Sequence, residues 1–209
     1  MSSVEMISAS LKDLGFEAKV AGKLVAKLSR FVDALLKWNK TFNLTAIRER
    51  DQIISLHILD SLSVCPYIKG SSIIDVGSGG GFPGIPLALC FPDKQFTLLD
   101  SNGKKTRFLQ QMVIELGLKN CTIVQARVED YQGSFDQVCN RAFASIINIC
   151  EGCGHLLKQD GEILAMKGRL ETEDLKALPA GFELKVVHDL DVASIEADRH
   201  LVVMKQQKH

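Results

Sequence analysis

The run Ile73-Ile74-Asp75-Val76-Gly77-Ser78-Gly79-Gly80-Gly81-Phe82-Pro83-Gly84 constrains this chain more than any other stretch. Two β-branched residues enter it as a buried strand, the glycines form a tight turn, and Gly84 to Leu89 leave as the first turns of a helix. Glycine is needed in such a loop because a side chain would hold a ligand away from the backbone amides, and because the turn uses positive φ angles. Gly79, Gly81 and Gly84 satisfy the dinucleotide spacing G-x-G-x-x-G, which keeps an NAD-type oxidoreductase reading open. A turn that only packed helix on strand would need a single glycine.

Asp75, two residues before Gly77, turns the loop into D-x-G-x-G-x-G. That pattern resembles motif I of the S-adenosylmethionine (SAM) methyltransferases, in which the loop packs against a methionine moiety and not a pyrophosphate. At 209 residues and 46% hydrophobic, the chain can bury one full core with a modest extension. Its 25 basic and 25 acidic residues cancel, so any RNA contact has to come from local patches. The N-terminus has no apolar core of signal-peptide length and no run is long enough to span a bilayer, so a cytoplasmic protein without a membrane partner is expected. Six cysteines lie scattered without a disulfide framework, as in a reducing compartment. Cys150-x-x-Cys153, with His155 nearby, is at most half a metal site and reads better as small buried hydrophobes; no metal is expected.

Residues 1–67 read as a helical extension and 68–209 as the main domain, packed as one structural unit. Leu24, Leu28, Phe31, Leu35 and Trp38 recur at three- and four-residue steps. The opposite face carries Lys12, Lys19, Lys23, Lys27 and Arg30, a pattern that usually marks a solvated face. Trp38 to Ile47 is too polar and turn-prone for a helix interior. His57 and Asp60 stand a helical i, i+3 step apart, close enough to interact, as a structural or a functional pair. Strands are expected at 73–77, 95–100, 121–126, 135–141, 161–167, 183–190 and 200–205, with helices near 84–91, 103–117, 145–157 and 171–177. The alternation implies an α/β fold with a mostly parallel sheet and an antiparallel last strand. This order is similar to the Rossmann-like seven-stranded SAM-dependent methyltransferase fold.

Open α/β sheets bind ligands beyond the carboxyl ends of their strands. Gly77 to Phe82 and Asp100 stand at such ends; Asp100 suits ribose hydroxyls, or caps the helix that follows. Val128 and Glu129 are placed for an adenine ring, or for a surface turn. After the fourth strand, Asn140-Arg141-Ala142-Phe143 departs from the Asn/Asp-Pro-Pro-aromatic signature for amino groups, and no Pro-Cys nucleophile is present. A ring nitrogen with a free lone pair needs neither a base nor a covalent intermediate. Arg141 would then orient substrate or the cofactor carboxylate, and Lys167, Arg169, Arg199 and His200 could hold phosphates or a base edge.

Trp38-Asn39-Lys40-x-x-Asn43-Leu44-Thr45, His57-Ile58-Leu59-Asp60-Ser61, the glycine loop through Phe82-Pro83-Gly84-Ile85-Pro86-Leu87, Leu98-Leu99-Asp100-Ser101, Arg141-Ala142-Phe143-Ala144, Met166-Lys167-Gly168 and Arg199-His200-Leu201-Val202 together resemble the bacterial small-subunit rRNA guanine-N7 methyltransferases, the glucose-inhibited division protein B family. The resemblance implies methyl transfer from SAM to N7 of one guanosine in 16S rRNA, leaving S-adenosylhomocysteine. It implies cofactor contacts at Gly77, Gly79, Phe82, Asp100, Val128, Glu129 and Arg141, catalytic contributions from Arg141, Lys167 and Arg199, and RNA contacts at Asn39, Asn43, His57, Arg169 and His200. The expected partner is a small ribosomal subunit or an assembly intermediate, met by a monomer. Cys139-Asn140 and Met166 depart from the family's commoner residues without touching this chemistry.

Overall fold

The structure is a computed structural model that describes residues 2–141, 145–170, 175, 178–192 and 195–207. Seven strands, β1 (Ser72–Val76), β2 (Gln95–Asp100), β3 (Cys121–Gln125), β4 (Phe135–Arg141), β5 (Leu157–Lys167), β6 (Phe182–Asp189) and β7 (His200–Gln206), form one sheet in the order β3-β2-β1-β4-β5-β7-β6. Neighbours from β3 through β5 are parallel, while β7 runs antiparallel to β5 and to β6. Strand order reverses between β1 and β4, which places a crevice at their carboxyl ends. Because β7 is antiparallel, its first residue His200 pairs with Lys167 at the end of β5. The start of β7 therefore joins the same rim.

The helices are α1 (Ser3–Asp13), α2 (Ala18–Phe42), α3 (Arg50–Ile53), α4 (Asp60–Leu62), α5 (Gly84–Cys90), α6 (Gly103–Leu116) and α7 (Ile146–Cys153). The expected helix at 145–157 stops at Cys153; a single 3-10 turn, Gly154–Leu156, follows, and β5 begins at Leu157. The helix expected at 171–177 falls largely outside the described residues. Trp38 to Phe42, expected outside a helix, continue α2. Packing overrides local preference there: the Trp38 ring lies 5.5 Å from Phe108 and 5.3 Å from Phe42. The helix ends where Asn43 takes a left-handed conformation at φ 48°.

Leu24, Leu28, Phe31 and Leu35 of α2 share one buried core with Phe82, Leu98 and Phe108 of the sheet layer. Phe31 is the hub, its ring 5.1 Å from Phe82 and 6.1 Å from Phe108. Two cations of the expected solvated face are spent on this docking: Lys27 donates to Leu116 O (2.8 Å) and Arg30 to Glu115 O (3.1 Å), at the electronegative end of α6. A second cluster, on the opposite face, packs α7 against β1, β4, β5 and β7. Cys150 and Cys153 are buried in it, and Cys150 Sγ lies 3.5 Å from Met204 Sδ.

The glycine loop is held between these layers. A Cβ at Gly84 would fall 2.7 Å from Asp75 Oδ2 and 2.8 Å from Leu98 Cγ, so α5 can approach β1 and β2 this closely only with glycine there. Gly81 faces the core at φ +96°, where a Cβ would come within 2.8 Å of Ile85 Cγ1 and 3.0 Å of Leu109 Cδ2. At Gly79, with φ +56°, the nearest atom to such a Cβ is Gly77 O at 3.8 Å. Gly81→Ala therefore lowers unfolding free energy by at least about 2 kcal/mol, from backbone strain and overpacking together. Gly79→Ala costs about 1 kcal/mol. Urea titrations of the two variants side by side measure the difference.

Candidate active site

The loop after β1 is pinned before it meets any ligand. Gly77 N and Ser78 N both donate to Leu99 O, Ser78 Oγ donates to Asp75 O (2.8 Å), and Gly84 N donates to Asp75 Oδ2 (3.0 Å). Asp100, at the end of β2, accepts from Gly79 N (2.9 Å) and Asn102 N (2.8 Å). It does not cap α6; Asn102 does, accepting from Lys104 N. The Asp100 carboxylate keeps lone pairs free beyond those two amides.

These ends open into a cleft of about 810 Å³. That volume lies within the range of small-molecule sites. Gly77, Gly79, Phe82, Asp100, Val128, Glu129, Arg141, Lys167, Arg199, His200 and His57 all line it. Thus the loop, the β2 acid, the turn after β3, the end of β4 and both sides of the β5–β7 pair converge. Val128 is buried and Glu129 exposed on a 3-10 turn, Val128–Asp130. The three other positions lie apart from the cleft. Asn39 is buried in α2, accepting from Thr45 N (3.0 Å) and donating to Ile47 O (3.2 Å), so it shapes the lip loop. Asn43 is the exposed left-handed cap of α2, and Arg169 is exposed beyond the end of β5.

One wall comes from the N-terminal helices. Between α3 and α4 the chain makes a π-helical turn, Ile54–Leu59, which in folded proteins often accompanies a functional site. The Asp60 N–H reaches Ser55 O and His57 O and skips Leu56, whose carbonyl accepts from Arg141 Nη1 at 2.9 Å. The expected contact between His57 and Asp60 is replaced by other partners. His57 Nε2 meets Thr45 Oγ1 at 2.8 Å and Nδ1 meets Leu56 O at 2.9 Å. Nδ1 therefore carries the proton and Nε2 accepts from the threonine. Burial, with Arg141 nearby, lowers the His57 pKa to about 4, so the ring is neutral. Asp60 instead pairs with Arg141 Nη1 and Arg199 Nε, each at 3.2 Å. The Phe82 ring meets both the His57 ring, 4.7 Å between centroids, and the Arg141 guanidinium, which lies over it at 5.2 Å.

Thr45, Asp60 and Lys105 line the cleft although spacing gave none of them a ligand-facing role. For Asp60 the signal was present, a carboxylate among apolar helix residues; its partners come from β4 and from the approach to β7, which no local pattern reveals. Lys105 stands 3.8 Å from Asp100 Oδ2.

A seven-stranded sheet of this order, with a nucleoside-sized cleft at its switch point, defines the fold of the SAM-dependent methyltransferases. Solved structures agree at the level of the fold. A ribosomal protein L11 methylase from Lactobacillus delbrueckii subsp. bulgaricus matches 72% of this chain and 77% of its own, with TM-score 0.57 and 15% identity. A SAM-dependent methyltransferase from Thiobacillus denitrificans, solved with S-adenosyl-L-homocysteine, matches 71% of this chain and 90% of its own, with TM-score 0.52 and 12% identity. A sequence model of the GidB family, described as rRNA small subunit methyltransferase G, matches residues 24–202. The chain belongs to that family. A ribosomal RNA small subunit methyltransferase G from Marinomonas sp. (strain MWYL1) is 46% identical over 209 residues, 99% of this chain and 100% of the relative. One from Salmonella agona (strain SL483) is 48% identical over 183 residues, covering 87% and 88%. Membership favours the methyltransferase reading of the glycine loop over the NAD-type one.

Asp75 lies under this site, fully buried, and burial raises its pKa from 3.8 to about 6. Between those values the folded chain holds this proton more tightly than the unfolded chain, so the group's contribution to stability falls as pH rises from about 4 to 6 and is level above. His57 has the opposite sign, its contribution being lost as pH falls from 6.5 to about 4, which flattens the profile of the native protein. Asp75→Asn keeps an acceptor for Gly84 N. Its stability relative to the unmodified chain rises by about 3 kcal/mol between pH 4 and pH 7, measured by urea unfolding at each pH.

Proposed function

We propose that this chain transfers the methyl group of SAM to N7 of one guanosine in 16S rRNA, within a small ribosomal subunit or an assembly intermediate, acting as a cytoplasmic monomer. The observation that carries this is the commitment of the proton acceptors beside Arg141. Asp60 is engaged by two arginines and His57 Nε2 accepts from Thr45, while the carboxylates with free lone pairs, Asp100 and Glu129, stand after β2 and β3 at the end assigned to the nucleoside. A site so furnished suits a nucleophile that already has a free lone pair and needs no proton removed.

The residues fit the cofactor. Asp100 would accept from ribose hydroxyls, Val128 would give the adenine an apolar face, and Glu129 would meet its polar edge. Gly77 and Gly79 leave the backbone open to the methionine portion, with Phe82 behind it. Bound there, SAM supplies an electrophilic sulfonium methyl. Arg141 sits where the methionine carboxylate and the target base would meet, and orients one or both. Lys167, Arg199 and His200, on the far side, would hold the base edge and neighbouring phosphates, and exposed Arg169 would extend that contact along the RNA backbone. His200 is oriented by Asp189, its Nδ1 2.9 Å from Asp189 Oδ1.

Tritiated SAM incubated with small subunits from a strain lacking the activity should label one guanosine, located by chemical cleavage at N7-methylguanosine. Labelling of protein-free rRNA should be much weaker; equal labelling would refute the particle as substrate, and label elsewhere than N7 would refute the reaction. Calorimetry should detect S-adenosylhomocysteine, and heat from NAD alone would return the loop to the oxidoreductase reading. Arg141→Ala should lower turnover roughly 10- to 100-fold, the worth of one or two charge-assisted hydrogen bonds, with a smaller proportional change in thermal stability by circular dichroism.

A further inference from the structure

We infer that Asp60 is a positioning residue for methyl transfer: its carboxylate, delivered by the N-terminal helices, holds the guanidiniums of Arg141 and Arg199 together in the cleft. The inference rests on the methyltransferase reading above and adds to it a residue that acts through the two arginines.

The three side chains are layered by exposure. Asp60 is 6% exposed, Arg141 18% and Arg199 23%, so the carboxylate lies behind and the two cations lie toward solvent. Asp60 Oδ2 accepts a hydrogen bond from Arg141 Nη1, and Oδ1 forms an ion pair with Arg199 Nε, each at 3.2 Å. Each arginine has a further fixed point, Leu56 O at 2.9 Å for Arg141 and Asp198 O at 2.8 Å for Arg199. The Arg141 guanidinium also lies over the Phe82 ring. Without Asp60 the two cations would repel one another and separate. With it, the trio carries one net positive charge, and five donors per guanidinium leave several for a ligand. Burial raises the Asp60 pKa above its ordinary value, and both arginines oppose that shift by favouring the charged form.

The arrangement suits one acceptor-rich target presented between the arginines. A guanine offers O6 beside N7, and an arginine donating to O6 leaves the N7 lone pair free for the methyl group. Charge moving onto the base during transfer then meets a site whose positive field has been halved by Asp60. Asp60 lies at the end of the π-helical turn that also presents His57 and Leu56. The N-terminal helices thereby contribute to the chemistry as well as to the core.

A double-mutant cycle on the full chain, with SAM and small subunits, tests this. Asp60→Asn and Arg199→Gln should each lower kcat by roughly tenfold or more. The double variant should be less than about threefold worse than the poorer single variant, because both act through one arrangement. A double variant whose loss equals the product of the single losses would overturn the inference, as would an Asp60→Asn variant of native turnover. Circular dichroism establishes that each variant is folded. If Asp60→Asn is not, the cycle is run with Asp60→Glu, which keeps the charge and moves it by one methylene, under the same criterion. Unmodified protein that transfers no methyl group would sink the proposed function itself; active protein with independent losses would sink only the role given to Asp60.

Discussion

The hydrogen bond from Gly84 N to the buried carboxylate of Asp75 closes the loop on which the remaining architecture depends. It ties the first residue of α5 back to β1 across the glycines, and the close approach it requires excludes a side chain at Gly84. A carboxylate there costs desolvation free energy, visible in its raised pKa. What is gained is a rigid turn whose inner residue, Gly81, packs on Phe31, Ile85 and Leu109, while Gly77 and Gly79 face the cleft. A loop fixed on its inner side can present an unblocked backbone on its outer side.

Charge in the cleft is distributed by depth and by side. The acid at the end of β2 is held by loop amides, with Lys105 beside it. The cations gather toward β4, β5 and β7, where Asp60 sits behind two of them. This separation explains how a chain of zero formal net charge can serve an RNA substrate. The positive potential is local to one end of the cleft. The N-terminal helices belong to this arrangement, since they provide Thr45, Leu56, His57 and Asp60 to one wall and Phe31 to the core beneath it.

Much of this was legible in the chain. The order of strands and helices followed from hydrophobic runs and their punctuation, and the glycine loop announced a ligand. Asp100, Val128, Glu129 and Arg141 were each placed by standing just past a strand, a position whose meaning the fold class supplies. Local reading failed where distant packing decided the outcome. Trp38 to Phe42 stayed helical because Phe108 covers Trp38. Asn39 is buried, its amide bonded to the backbone of the loop that follows α2 at Thr45 and Ile47. Lys27 and Arg30, apparently solvated, bind the end of α6.

By itself the sequence determined the class of fold, the ligand loop and the family, because these depend on patterns within a few residues: the period of apolar side chains, the positions of glycine, and short motifs. Only the tertiary structure decided who meets whom at the site. His57 and Asp60 are neighbours along the chain, yet one turns to Thr45 and the other to Arg141 and Arg199. The reason is physical: a buried charge must find an opposite charge wherever the fold brings one, and that distance in space is set by the sheet, not by spacing along the helix.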